Sequence, residues 1–268
     1  MLTNYHTHCF RCQHAEGSVE DYVMEAIMHQ FDKLGMSDHV PYPHYDYGLR
    51  MPMSEIWDYI YEVREAQEKY KDRIQVLLGF ESEYLCTQRA YYEELLTEYG
   101  VDYLILGQHF FDYGGQFRSA FAISDTAYCV TYAKSVREGL GTGYYSLLAH
   151  PDIVGVNRLP WDRNMEEMTD IIVESAVRYD IPLEINANGI RRGTVTDSLG
   201  EHYMYPHYKF WEKAAEAGAK VVVSADCHSP HLLDNDEVHQ AKAIAKSWGL
   251  RLIDDIDIRN PAKDNATK

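Results

Sequence analysis

The sequence predicts a single-domain α/β barrel of parallel strands and covering helices, and three observations lead there. Short apolar runs alternate with amphipathic segments along the 268 residues, the pattern of successive βα units. Histidines and carboxylates directly follow at least six of those runs, which gathers them on the C-terminal rim of a closed sheet. No linker or low-complexity tract interrupts the chain before its polar end, so residues 1–260 read as one domain and 261–268 as a tail. An open doubly wound sheet would draw its site from two or three loops at a switch point. Six contributing strand ends favour the barrel.

In chain order, candidate strands lie near residues 2–6, 34–38, 74–80, 101–107, 145–149, 182–186 and 220–225, with a last short run at 251–253. Between the first two, Ser18 with Asp21 forms a capping box. Val19, Tyr22, Val23, Ala26, Ile27, Phe31 and Leu34 then follow a helical stripe ending at Gly35. Ser54 is the expected cap of a second helix carrying Ile56, Ile60, Val63, Gln67 and Tyr70. Further helices fit 88–98, 125–139, 165–179, 207–217 and 236–248.

Composition narrows the function. A formal charge of −17 opposes a nucleic-acid-binding surface, because phosphate backbones are held mainly by Lys and Arg. A small substrate is compatible with it, since bound cations reverse the field inside a cleft. Five cysteines, an odd number, argue against a disulfide framework and for reduced thiols in a cytoplasmic setting. The single Cys9-x-x-Cys12 reads as two loop cysteines beside a histidine site. No apolar stretch approaches the roughly 18 residues that span a bilayer, and no basic-then-apolar leader opens the chain. Neither export nor membrane insertion is expected.

The histidines carry the chemistry. His6 and His8 share one face of a period-2 strand and can chelate one ion together. A lone strand-end histidine is more often a hydrogen-bonded core residue, and His39, His109 or His150 taken singly would read that way. Their joint placement at so many strand ends is not a coincidence of register. Asp226-Cys227-His228 repeats the pattern on the last main strand, and Glu81 closes an apolar run where an unpaired carboxylate would be costly to desolvate. Glu83 takes that place if the register differs. Imidazole and carboxylate together suit zinc, iron or manganese, so the set points to a multinuclear site for divalent metal ions.

His6-x-His8, His14-Ala-Glu-Gly, Ser37-Asp38-His39-x-Pro41, Gly79-x-Glu81, Gly107-x-His109, His150-x-Asp152, Glu184-Ile185-Asn186 and Ser224-x-Asp226-x-His228 resemble the ordered motifs of the PHP (polymerase and histidinol phosphatase) superfamily. Within it the chain is most similar to the stand-alone histidinol-phosphatase group. The likeness spans about residues 3 to 230 and implies a distorted (β/α)7 TIM-like barrel with two to three metal ions at its rim. It assigns His6, His8, Glu81 and Asp226 to one ion, with Glu81 bridging to a second held by His109 and His150. His14, His39 and His228 fall to a third. Seven neutral imidazoles and two carboxylates bring about −2 against about +6 from three divalent ions, leaving a pocket suited to phosphate.

The expected reaction is hydrolysis of a small phosphate monoester, with L-histidinol phosphate and thus histidine biosynthesis implied by the resemblance. Asp38 and Asp152 are candidates to protonate the leaving alcohol, and Asp152 could equally orient a ligand imidazole. Arg191 and Arg192 lie past a strand end where a guanidinium can grip phosphate, with Asn186 as a polar lining residue and Arg158 as a further candidate. The loop tyrosines Tyr42, Tyr45, Tyr47, Tyr113, Tyr203 and Tyr205 could enclose an imidazole or amine. The rivals are other phosphate esters, from sugar phosphates and nucleotides to phosphotyrosine proteins, and C–N hydrolysis by an amidohydrolase-type barrel. The last usually uses a bridging lysine, and no lysine stands at the corresponding strand ends.

Overall fold

The computed structural model describes residues 1–44 and 48–261. β1 (Thr3–Asn4) leads to α1 (Val19–Met28), β2 (Lys33–Met36) to α2 (Ile56–Tyr70), and β3 (Gln75–Ser82) to α3 (Arg89–Thr97). β4 (Tyr103–Leu106) is followed by a hairpin, β5 (Phe110–Tyr113) and β6 (Gln116–Ser119), before α4 (Ala127–Leu140). β7 (Tyr145–Leu148) precedes α5 (Arg163–Tyr179), and β8 (Leu183–Asn186) runs straight into the short α6 (Ala187–Arg191). A second hairpin, β9 (Thr194–Asp197) and β10 (Gly200–Tyr203), comes before α7 (Tyr208–Glu216). β11 (Lys220–Ser224), α8 (Asp236–Ser247) and β12 (Arg251–Leu252) complete the order.

The main sheet runs β1-β2-β3-β4-β7-β8-β11-β12, with every neighbouring pair parallel. At the C-terminal rim a parallel bridge between Thr7 and Cys227 joins the continuations of β1 and β11, and His8 N–H donates to the Cys227 carbonyl at 3.1 Å. At the opposite end β12 lies against β11, while Thr3 Oγ1 donates to the Asp254 carbonyl at 2.6 Å and the Tyr5 hydroxyl to Asp255. The fold is thus a distorted TIM-like barrel, closed at the top and wedged apart at the bottom by β12 and its continuation.

Strand periodicity explains why the top is polar. In β3, Leu77, Gly79 and Glu81 share the inward face. Leu77 joins Tyr5, Tyr103, Ile105, Leu147, Val222 and Ile256 in an apolar plug inside the barrel. Gly79 and Gly35 leave room for the Tyr103 ring, whose hydroxyl donates to the Tyr5 carbonyl at 2.7 Å. Glu81 is the next inward position and emerges at the rim. The second, larger apolar layer packs the helices against the outside of the sheet.

The predicted strands all appear, but the helical stripe from Val19 does not run to Gly35. Helix α1 ends at Met28, Gln30 adopts φ 60°, and β2 starts at Lys33, so the two last apolar residues of the stripe reach the core from the connecting loop (Phe31) and from a strand (Leu34). The Ser18–Asp21 capping box is present, with Asp21 N–H donating to Ser18 Oγ at 3.3 Å and Ser18 N–H to the Asp21 carboxylate at 2.7 Å. Ser54 caps nothing, because a 3-10 turn over Met53–Glu55 precedes α2. Both hairpins and α6 are additional to the predicted elements. Among the described residues no helix is long and apolar enough to cross a membrane.

Candidate metal centre

Glu81, almost fully buried, stands at the centre of the rim. Its Oε1 lies 2.8 Å from His150 Nε2 and 3.3 Å from His109 Nε2. Its Oε2 lies 3.0 Å from His39 Nδ1, 3.4 Å from His6 Nε2 and 3.6 Å from His8 Nε2. Asp226 Oδ1 meets the same two imidazoles, in the continuation of β1, at 3.2 Å (His8) and 3.6 Å (His6). His14 and His228 point Nε2 at Nε2 across 3.0 Å, and the His8 ring joins this pair to the rest, 4.3 Å from His228 and 4.4 Å from His39. All nine sequence-predicted ligands therefore converge on one cluster.

The backbone is shaped for this. A Cβ at Gly107 would overlap the Glu81 carboxylate, so only glycine fits there. His150 and Asp226 sit at φ 29° and 43°, sparsely populated for residues with side chains and costing about 1–3 kcal/mol each. Two strained residues in one cluster of ligands is the pattern of a site whose geometry is set by function rather than by folding alone.

Behind the cluster lies a layer of carboxylates. Glu184 Oε1 faces His6 Nδ1 at 2.8 Å, Glu83 Oε1 faces His109 Nδ1 at 3.1 Å, and Asp38 Oδ1 lies 3.5 Å from His8 Nδ1. Glu184 Oε2 also accepts from His150 N–H at 3.0 Å and from Asn186 Nδ2 at 2.8 Å, and Asn186 Nδ2 reaches Asp226 Oδ2 at 3.0 Å. Glu83 is in turn held by Arg50 Nη2 at 3.1 Å and by the Tyr42 hydroxyl at 3.0 Å. A carboxylate on one imidazole nitrogen fixes the ring and presents the other nitrogen for a metal.

Orphaned imidazole nitrogens test whether a cation fits. His6 Nε2, both nitrogens of His8 and His150 Nδ1 are buried with no hydrogen-bond partner, a costly state for polar atoms unless an ion or proton resolves it. Burial opposes charging His6, yet Glu184, Asp226 and Glu81 outweigh it and hold its pKa well above the ordinary value. His8 is pushed up to about 9, the nearby carboxylates of Asp226 and Asp38 overcoming the same burial. Burial drives His39 down to about 4 and His228 down to about 3. Protons alone thus leave His39 and His228 neutral beside a carboxylate-rich centre, whereas divalent cations suit neutral imidazole and carboxylate at once.

A cavity of about 520 Å³ opens over the cluster. Arg192 lines it and is exposed, its Nε donating to the Tyr205 hydroxyl at 3.0 Å while its terminal nitrogens have no partner among the described residues. Arg191 lines the cavity too, but its Nη groups donate to the carbonyls of Ala225 at 2.6 Å and Leu232 at 2.9 Å, clamping the loop. Asn186 lies beneath Asp226 rather than on the wall, and Asn188 takes the lining position, 3.3 Å from Asp226 Oδ2. Arg158 is exposed and off the cavity, because the turn over Ile153–Asn157 carries the chain away after His150.

The two acids expected to deliver a proton do not reach the cavity. Asp38 is sealed behind the ligands, accepting from His39 N–H at 2.8 Å and from the Cys9 thiol at 3.0 Å. Asp152 accepts from His207 N–H at 2.6 Å and Trp211 Nε1 at 3.1 Å, touching no ligand imidazole, and burial pushes its pKa up to about 7. Of the loop tyrosines, Tyr205 lines the cavity and Tyr42 supports Glu83, while Tyr45 and Tyr47 lie outside the described residues. Sequence reasoning missed the supporting roles of Glu184, Glu83 and Arg50. The signal for Glu184 was a carboxylate inside the apolar strand β8, two residues and hence one face from Asn186.

The family model for the PHP domain matches residues 4–188. A relative in Schizosaccharomyces pombe, named "Probable histidinol-phosphatase", is 26% identical over 93% of this chain and 88% of its own length. A relative of the same name in Deinococcus radiodurans is 25% identical over 85% of this chain and 87% of its own. Among solved structures, histidinol phosphate phosphatase from Lactococcus lactis, complexed with zinc, L-histidinol and phosphate, superposes with a TM-score of 0.69 at 17% identity. That match covers 96% of this chain and 98% of the other, and it shows a shared fold.

Proposed function

The chain belongs to the PHP domain family, and from that premise we propose that it is a metal-dependent phosphatase releasing phosphate from a small monoester, L-histidinol phosphate. The observation that carries the reading is the single Glu81 carboxylate within 3.6 Å of five imidazoles, a bridge with ligands on both sides. The names of the two relatives support the substrate, as do the ligands of the Lactococcus structure. His6, His8, Glu81 and Asp226 would hold one divalent ion, Glu81, His109 and His150 a second, and His14, His39 and His228 a third. Zinc, iron and manganese all suit this donor set, and zinc accompanies the Lactococcus neighbour. Such ions supply Lewis acidity for the phosphoryl oxygens and for the attacking water.

The chain's own side chains do the rest. Arg192 presents its uncommitted nitrogens to the phosphate, and Asn188 fixes the free oxygen of Asp226. Glu184 and Glu83 keep the imidazoles of His6 and His109 in their binding tautomers, and Asp38 sets a negative charge beside His8. Apart from Glu81 and Asp226 no acidic side chain lines the cavity among the described residues, so the leaving alcohol takes its proton from solvent admitted at the mouth. A cytoplasmic setting suits the five free thiols.

The test is elemental analysis of the purified protein together with a phosphate-release screen over L-histidinol phosphate, sugar phosphates, nucleotides, a phosphotyrosine peptide and amides. Bound metal with preferential release from L-histidinol phosphate is expected, and Arg192→Ala should raise KM about 10-fold or more, the size of a charge-assisted hydrogen bond. Metal-replete protein that cleaves amides and no phosphate ester would overturn the reading.

A further inference from the structure

Phe121 is an apolar ring left in water at the mouth of a polar site, and the fold goes to some trouble to keep it there. It is 43% exposed and lines the cavity. Its ring lies parallel to the imidazole of His109, at an interplanar angle of 8° with centroids 5.9 Å apart. The backbone carrying it is fixed from four directions. Phe121 N–H donates to Ser119 Oγ at 3.2 Å, and Ala120 N–H to the His109 carbonyl at 2.8 Å. Asn157 then grips both flanks, donating to the Ala120 carbonyl at 2.7 Å and accepting from Ile123 N–H at 3.0 Å.

Hydrophobic burial alone does not explain this arrangement, because 43% of the residue still faces solvent. Nor does the ring shield a ligand nitrogen, since both nitrogens of His109 already face carboxylates at 3.1 Å and 3.3 Å. What the arrangement offers is a flat face at fixed height beside the cluster. Leu49, Phe110, Ile153 and Leu232 add apolar lining to the same cavity, and among the described residues no carboxylate other than Glu81 and Asp226 lines it to select a cation by charge.

We infer that Phe121 is the specificity-determining platform of the site, stacking a planar group carried by the leaving alcohol while the phosphate is held at the cluster. Resting on the phosphatase reading above, the inference selects monoesters of short alcohols that bear an imidazole or another flat ring. Aliphatic esters of the same length gain nothing from the platform. A π face also attracts a neighbouring ammonium, so an amino group next to the ring adds to the preference.

The experiment compares metal-loaded wild type with Phe121→Leu, which keeps apolar volume without a flat face, and with Phe121→Tyr, which keeps the face. The substrates are L-histidinol phosphate, 2-phenylethyl phosphate and ethyl phosphate, with kcat and KM read separately. Phe121→Leu should lower the kcat/KM ratio of each ring-bearing ester to ethyl phosphate about 5-fold to 10-fold, the size of one aromatic stacking contact, and do so through KM. Phe121→Tyr should restore the ratio. A ratio unchanged in Phe121→Leu, or a loss through kcat alone that Tyr does not restore, overturns the platform. If wild type ignores L-histidinol phosphate but cleaves the phenyl ester, the substrate reading fails while the platform is still tested by the remaining pair.

Discussion

The cluster has two lobes, and they are held in place by different means. The inner lobe, built on Glu81, His6, His8, His109, His150 and Asp226, is buried, and three of its imidazoles lean on the carboxylates of Glu184, Glu83 and Asp38. The outer lobe is His14, His228 and the partly exposed His39; two of its rings rest on backbone carbonyls, Cys12 O at 2.8 Å from His14 Nδ1 and Asp226 O at 3.3 Å from His228 Nδ1, while His39 faces the Glu81 carboxylate of the inner lobe at 3.0 Å. A buried carboxylate makes the imidazole opposite it more basic and holds it rigidly, whereas a carbonyl in a solvated loop does so less. The inner lobe should therefore retain its ions where the outer one exchanges.

The sharpest way to break this comparison is to remove one ligand from each lobe. His8→Ala should abolish turnover and strip the inner ions, while His14→Ala should lose the outer ion alone, as read by elemental analysis after gel filtration. Equal metal loss from both would erase the distinction. Next in size, Glu184→Gln should weaken inner-lobe affinity by about 10-fold to 100-fold in chelator competition, with the outer ion leaving at its wild-type rate.

The smallest effect at the metal is expected from Asp152, which borders neither lobe. Its pKa is raised to about 7 by burial, so it favours the folded state while protonated. That contribution is complete below its ordinary pKa, near 4, and is lost as pH rises through 7. Asp152→Asn should thus gain stability relative to wild type between about pH 4 and pH 7, on the order of a few kcal/mol. His207, lowered to about 4 by burial, is common to both proteins and cancels in the difference. Denaturant titrations at pH 5 and pH 8 check the sign, and metal affinity should be unchanged in this variant, since Asp152 faces His207 and Trp211 rather than a ring of the cluster.

The ligands were legible because strands alternate and end. A histidine or acid just past an apolar run sits on the rim, and most of the nine candidates fall there without any knowledge of their contacts, whereas His14, in the loop after Cys12-Gln13, came in through the family resemblance. The residues behind them were harder to read, since Glu83, Glu184 and Asp38 differ from ligands only in which way a buried carboxylate turns. Asp38 and Asp152 stand beside ligands in sequence, yet one faces Cys9 and His39 and the other faces Trp211. The hairpin at Phe110–Ser119 left a cue in Gly114-Gly115, both at positive φ. Its strands, only four residues each, mix apolar and polar residues too evenly to register as an apolar run.

Tyr103 stoppers the barrel from below, wedged between Gly35 and Gly79 with its hydroxyl tied to the opposite strand. A vessel corked at the base has one door. Alcohol and inorganic phosphate depart through the opening that admitted their parent ester. Each product, while it stays, occupies the space the next ester needs.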